Sequence, residues 1–159
     1  MNTEYAIIAY VWGLSLLLWF LIPRAKRRLA VTAFLFKQMI TYPLGLLVVE
    51  YDLLAYPVRL LPEINRASLT FEFWAYPILC AFFNAHFPEK HKWWVKLGYY
   101  ASFCSALTVT EIFLENHTNL IRYIQWNAAW TWVSLYLTFF ITRSFCAWFW
   151  KRLPLPSSG

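Results

Sequence analysis

Runs of about 20 mostly apolar residues, separated by short charged clusters, organise this chain from one end to the other. A helix rises 1.5 Å per residue, so about 20 such residues match a hydrocarbon core about 30 Å thick. Composition closes off the alternatives. Only 14% of the 159 residues are charged and 60% are hydrophobic, whereas a typical soluble domain carries about 25% charged residues. A soluble enzyme, a disordered tail and a nucleic-acid-binding domain are thereby excluded. What remains is an all-α polytopic membrane protein.

Five stretches qualify as spans: residues 5–22, 29–49, 68–87, 93–114 and 120–142. They read as one transmembrane domain over residues 1–156. Ser157-Ser158-Gly159 reads as a remnant of expression rather than part of the fold. The first stretch has an acid, Glu4, before it and four cations, Arg24, Lys26, Arg27 and Arg28, after it. That order is the reverse of a signal peptide, so the stretch is expected to be a retained helix. Pro43 and Pro77 fall inside spans and are tolerable there, because neighbouring helices can satisfy the carbonyls they free.

Charge placement gives an orientation. Arg24, Lys26, Arg27, Arg28, Lys90, Lys92, Lys96, Arg143, Lys151 and Arg152 fall on one side. Only Arg59, Arg66 and Arg122 fall on the other, while Lys37 sits within a span. The cation-rich side is expected to be cytoplasmic, which puts the N-terminus outside and the C-terminus inside a plasma membrane. Anionic lipid then accounts for the formal charge of +6 without a nucleic acid. Tryptophans and tyrosines cluster at span ends, as an aromatic belt does, and the tail Phe145–Arg152 is expected at the inner interface.

Within the spans two acids stand out, Glu72 and Glu111. An ionisable group at the centre of a bilayer costs about 2.5–3.5 kcal/mol on insertion scales, so such groups are generally paired or functional. Glu111 and Glu115 lie one helical turn apart, His117 and Arg122 follow, and Glu50 lies at similar depth. One reading makes Glu50, Glu72, Glu111, Glu115, His117 and Arg122 an outer polar site for a cation, a proton or a polar headgroup. The competing reading pairs Glu72 and Glu111 with Arg59, Arg66 or Arg122 and leaves the others solvated. Two carboxylates and one imidazole also suit Zn²⁺ or Mn²⁺. The two-histidine spacing of a metal helix is missing, however, so no metal is assigned. Lys37 either reaches back to the inner surface or lines an inner polar site with Asn84.

The fourth span carries a stripe of small residues, Gly98, Ala101, Ser102, Ser105 and Ala106, expected to be a buried packing face. Asn65 or Ser68 is expected to cap the third span. Glu50 to Pro57 and Glu72 to Pro77 both place an acid and an aromatic ahead of Ala-Tyr-Pro; two short matches read as coincidence. No cofactor fingerprint occurs, nor any Cys-x-x-Cys.

Glu50-Tyr51 through Tyr56-Pro57-Val58-Arg59, then Phe71-Glu72-Phe73, and the stretch from Glu111 through Glu115 to Leu120-Ile121-Arg122-Tyr123 and Trp126 together resemble one family. It comprises small multi-pass membrane proteins of spore-forming Gram-positive bacteria. The resemblance covers most of the chain. It implies a topology and a bacterial plasma membrane, and carries no activity.

The expected function is non-enzymatic: a subunit of a membrane assembly, or a small transporter or channel. Five short spans leave little room for a closed path, so a homo-oligomer or a partner membrane protein is expected within the bilayer. Two alternatives are an enzyme acting on a lipid or peptide through Glu111, Glu115 and His117, and a membrane sensor.

Overall fold

The computed structural model describes residues 2–152, so Ser157-Ser158-Gly159 lie outside the described residues. It is mostly helical, at 74% of residues. Among the described residues, five α-helices follow in order. They are α1 (Asn2–Phe20), α2 (Arg27–Glu50), α3 (Tyr76–Ala85), α4 (Trp93–His117) and α5 (Ala128–Arg152). Three helical stretches are long and apolar enough to cross a membrane: Thr3–Phe20, Arg24–Glu50 and Trp93–His117.

Contacts mark two ends of the bundle. At the capped end, Leu54–Ala55 (β1) and Arg122–Tyr123 (β2) form a short antiparallel pair, with Leu54 opposite Tyr123 and Ala55 opposite Arg122. The Val58 amide donates to the Asn119 carbonyl, at 3.0 Å, and extends this cap. Asn119 also donates to Glu4 at the start of α1. At the other, basic end the Lys26 ammonium donates to the Ala85 carbonyl, the last turn of α3. There too Arg143 pairs with Glu89 at 2.7 Å.

Proline and a π-turn shape the segment before α3. Residues Leu69–Ala75 form a π-helix, so the Tyr76 amide reaches back to Phe71 instead of Glu72. Pro77 has no N–H to give Phe73. Two successive carbonyls are thereby freed, and α2 fills both. The Thr41 hydroxyl lies 3.0 Å from the Glu72 carbonyl, and the Gln38 amide donates to Phe73 at 2.9 Å. The Ser68 side chain caps this segment by accepting from the Phe71 amide. Of the two expected caps, Ser68 is therefore the one used.

Two expectations need correction. The fifth helix was expected over 120–142 and instead starts at Ala128 and continues through Arg152. Leu120 and Ile121 are apolar because they are buried beneath the cap, with 0% and 2% exposure. The helix starts where Asn127 Oδ1 accepts the Trp130 amide. The small-residue stripe of α4 was expected to be buried, but Gly98, Ser102, Ser105 and Ala106 are exposed. The buried face is Tyr100, Cys104, Thr108, Glu111 and Leu114. Lipid is as apolar as a protein core, so small size alone does not choose a face. The need to shelter Glu111 does.

Phe83 is the centre of the packing. It is fully buried, with the rings of Tyr99, Tyr100, Phe103 and Phe139 at 4.8–5.2 Å. Phe83→Ala is expected to cost on the order of 3 kcal/mol of stability through the cavity it leaves. Phe20→Ala, at a ring 70% exposed, is expected to be near neutral. Unfolding of the detergent-solubilised protein in mixed micelles compares the two.

Candidate functional site

A cavity of about 210 Å³ lies beneath the cap and reaches into the bundle between α2, the π-turn, α3, α4 and α5. Glu72 and Glu111 both line it, with Tyr56, Tyr76, Thr131 and Thr138. The two span acids singled out in the sequence therefore share one chamber, though they are 39 positions apart.

Glu111 is buried, at 8% exposure, and is held by hydroxyls from three other segments. Tyr76 on α3 donates to its Oε2 at 2.6 Å. Thr131 on α5 and Tyr123 on β2 donate to its Oε1 at 2.8 and 2.9 Å. The Trp126 indole donates to Thr131 at 2.8 Å and so aims that hydroxyl. A carboxylate is an acceptor-only group, and three donors occupy most of its capacity.

Glu72 is only half-buried and differently placed. Tyr56 donates to its Oε1 at 2.7 Å, and no other hydrogen bond reaches its carboxylate among the described residues. Burial, and then the neighbouring Glu72 charge, push the Tyr56 phenol well above its ordinary range. It stays a protonated donor at any working pH. Gly45 on α2 makes the room for Glu72: a Cβ at residue 45 would stand 2.8 Å from Glu72 Cγ.

No cation bonds directly to these acids among the described residues. Among the described residues neither Glu72 nor Glu111 has an ion pair. Arg59 is spent on the carbonyls of Tyr56, Pro62 and Asn65 at 2.8–3.0 Å. Arg66 pairs with Glu50 at 3.1 Å and lies 3.6 Å from Asp52, all three being exposed. Arg122 is exposed on β2. Expected pairings of Glu72 or Glu111 with these arginines are therefore absent.

Lys37 lies in the middle of α2 with no exposure. It does not reach back to the inner surface. Its ammonium donates to Thr138 Oγ1, a lining residue of the cavity, and sits 4.4 Å from the centre of the Phe139 ring. Lys37 thus belongs with the acidic chamber rather than with Asn84. The Asn84 amide donates to the Cys80 carbonyl at 2.9 Å on its own helix.

Glu50, Glu115, His117 and Arg122 do not line the chamber. His117 is exposed, bonded to the Phe113 carbonyl and stacked on the Phe113 ring. No group of three His, Cys, Asp or Glu residues among the described residues is placed to hold a metal. Cys80, Cys104 and Cys146 are free and buried.

Tyr56, Tyr76, Thr131 and Thr138 were not anticipated as site residues. A signal for two of them was present: the repeated Ala-Tyr-Pro places Tyr56 on Glu72 and Tyr76 on Glu111.

Gly45→Ala is expected to displace Glu72 from Tyr56 and to cost about 1–3 kcal/mol through overcrowding. In that background Tyr56→Phe is expected to cost less than it does alone, because the bond it removes is already broken. Unfolding of the two single variants and the double variant measures this non-additivity.

No protein-family model, no curated protein and no solved structure matches this chain.

Proposed function

We propose that this chain is an integral, multi-pass plasma-membrane protein whose acidic chamber binds one small cation or proton. In this reading all five helical stretches cross the bilayer. The π-helix and α3 supply 7 and 10 residues in continuous succession, and α5 supplies 25. At 1.5 Å per residue these runs reach about 25 Å and 37 Å. The clusters at 24–28, 88–96 and 143–152 then face the cytoplasm, and the N-terminus faces outward. Asp52→Cys at the capped end is expected to react with a membrane-impermeant maleimide in intact cells. Lys90→Cys is expected to react only after lysis, and the reverse pattern would invert the topology.

The observation behind the cation reading is a pair of carboxylates in one chamber with no arginine or lysine bonded to either. Two carboxylates and the Lys37 ammonium leave one formal negative charge when all are ionised. One monovalent cation, or one proton, balances it. Glu111 is already held by three donors and acts as a fixed charge, while Glu72, held by one, keeps more acceptor capacity for the incoming ion. The chamber, at about 210 Å³, has room for an alkali ion with some of its waters or for a small protonated amine. Its role is non-enzymatic, as the ion-binding subunit of a small transporter or channel. A homo-oligomer or a partner membrane protein completes the path, since five spans leave little protein around one cavity.

Thermal unfolding of the purified full chain in detergent, titrated with Na⁺, K⁺ and methylammonium, tests this. At least one of the three is expected to stabilise the wild type. Glu72→Gln keeps the Tyr56 hydrogen bond but removes the charge, and is expected to weaken that cation by at least about tenfold. Glu115→Gln, outside the chamber, is expected to leave it unchanged. Failure of all three cations together with a pH dependence of unfolding unchanged in Glu72→Gln, or wild-type cation binding by Glu72→Gln, would sink the reading.

A further inference from the structure

At the basic end, opposite the acidic chamber, a second cavity of about 530 Å³ lies between the start of α2 and the end of α5. Lys26, Arg28, Arg143 and Lys151 line it, with Glu89 as its one acid among the described residues. The Glu89 carboxylate is already held by Arg143 at 2.7 Å. Four cations against one acid leave three formal positive charges on one pocket.

The donors are placed and in part unused. Arg143 is mostly buried, with a side chain 12% exposed, and is braced against the Phe87 ring at 4.5 Å. A guanidinium has five N–H groups and an ammonium three. Arg143 and Lys26 therefore keep donors after bonding Glu89 and the Ala85 carbonyl. The Trp150 indole nitrogen, a donor with no acceptor capacity, is buried in the pocket wall without a partner among the described residues. A buried N–H left unmade is costly, and an anionic oxygen in the pocket would satisfy it.

We propose that this pocket binds a phosphate group, with Arg28, Arg143 and Lys151 supplying charge and the Trp150 indole a directed hydrogen bond. Guanidinium forks suit phosphate oxygens. Basic pockets between helices at the membrane surface suit phospholipid headgroups. A phosphodiester headgroup and free phosphate share this chemistry.

Native mass spectrometry of the full chain, titrated with phosphatidylglycerol and with phosphatidylcholine, reads the lipid arm. Thermal unfolding with inorganic phosphate reads the free-anion arm. Arg28 and Lys151 are exposed, so Arg28→Gln/Lys151→Gln is expected to fold and to bind phosphatidylglycerol about thirtyfold more weakly. Trp150→Phe leaves the charge unchanged and is expected to weaken binding about tenfold. It separates a built pocket from a diffuse basic surface. Arg122→Gln at the capped end is expected to have no effect. Phosphatidylglycerol binding lost in both pocket variants supports the site and names a lipid. Stabilisation by inorganic phosphate, lost in the same variants, supports it and names a free anion. Wild-type behaviour of Trp150→Phe in both arms, or equal retention of phosphatidylcholine, overturns it.

Discussion

Glu111 is the point to which the rest of the molecule is tied. A carboxylate deep in an apolar bundle must have donors, and here the donors are hydroxyls from α3, β2 and α5. Their convergence decides which face of α4 turns inward and brings the start of α5 beneath the cap. Hydroxyls stabilise the acid without neutralising its charge, whereas a buried arginine would have cancelled it. The chamber beside Glu111 keeps its negative character for that reason.

The second carboxylate depends on a different device. The π-turn and Pro77 free the carbonyls of Glu72 and Phe73, and Thr41 and Gln38 tie them to α2. That clasp sets Glu72 against Gly45, where only a residue without a Cβ leaves room. The outcome is two acids of unequal character in one space: Glu111 held by three hydroxyls, Glu72 by one phenol. Lys37 reaches the same space through Thr138. One fold thus carries an acidic chamber near one end and a basic pocket at the other.

Much of this was legible along the chain. Apolar runs marked the helices, the cations at 24–28 marked the break between α1 and α2, and the cost of intramembrane charge singled out Glu72, Glu111 and Lys37. Glu115, His117 and Arg122 were grouped with Glu111 because they are near it in sequence. Their lower burial separates them in space, since a polar group at the end of a helix can face water. The apolarity of Leu120 and Ile121 resembled the start of a span and turned out to be the underside of the cap. The two Ala-Tyr-Pro segments looked coincidental because neither tyrosine has its carboxylate partner within helical reach in a way that spacing reveals.

Long apolar helices, the sorting of charges, and the acids whose burial demands an explanation could all be read along the chain. These follow from solvation, which each residue meets singly or in short runs. Packing alone settled that the partners of those acids are tyrosines and threonines, that the small-residue face of α4 looks outward, and that Lys37 joins the acidic chamber. The first of these depends on side chains distant in the chain meeting at 2.6–2.9 Å. In a lipid-like medium apolar patterning does not encode which faces meet, because an apolar surface is nearly as well placed against lipid as against protein.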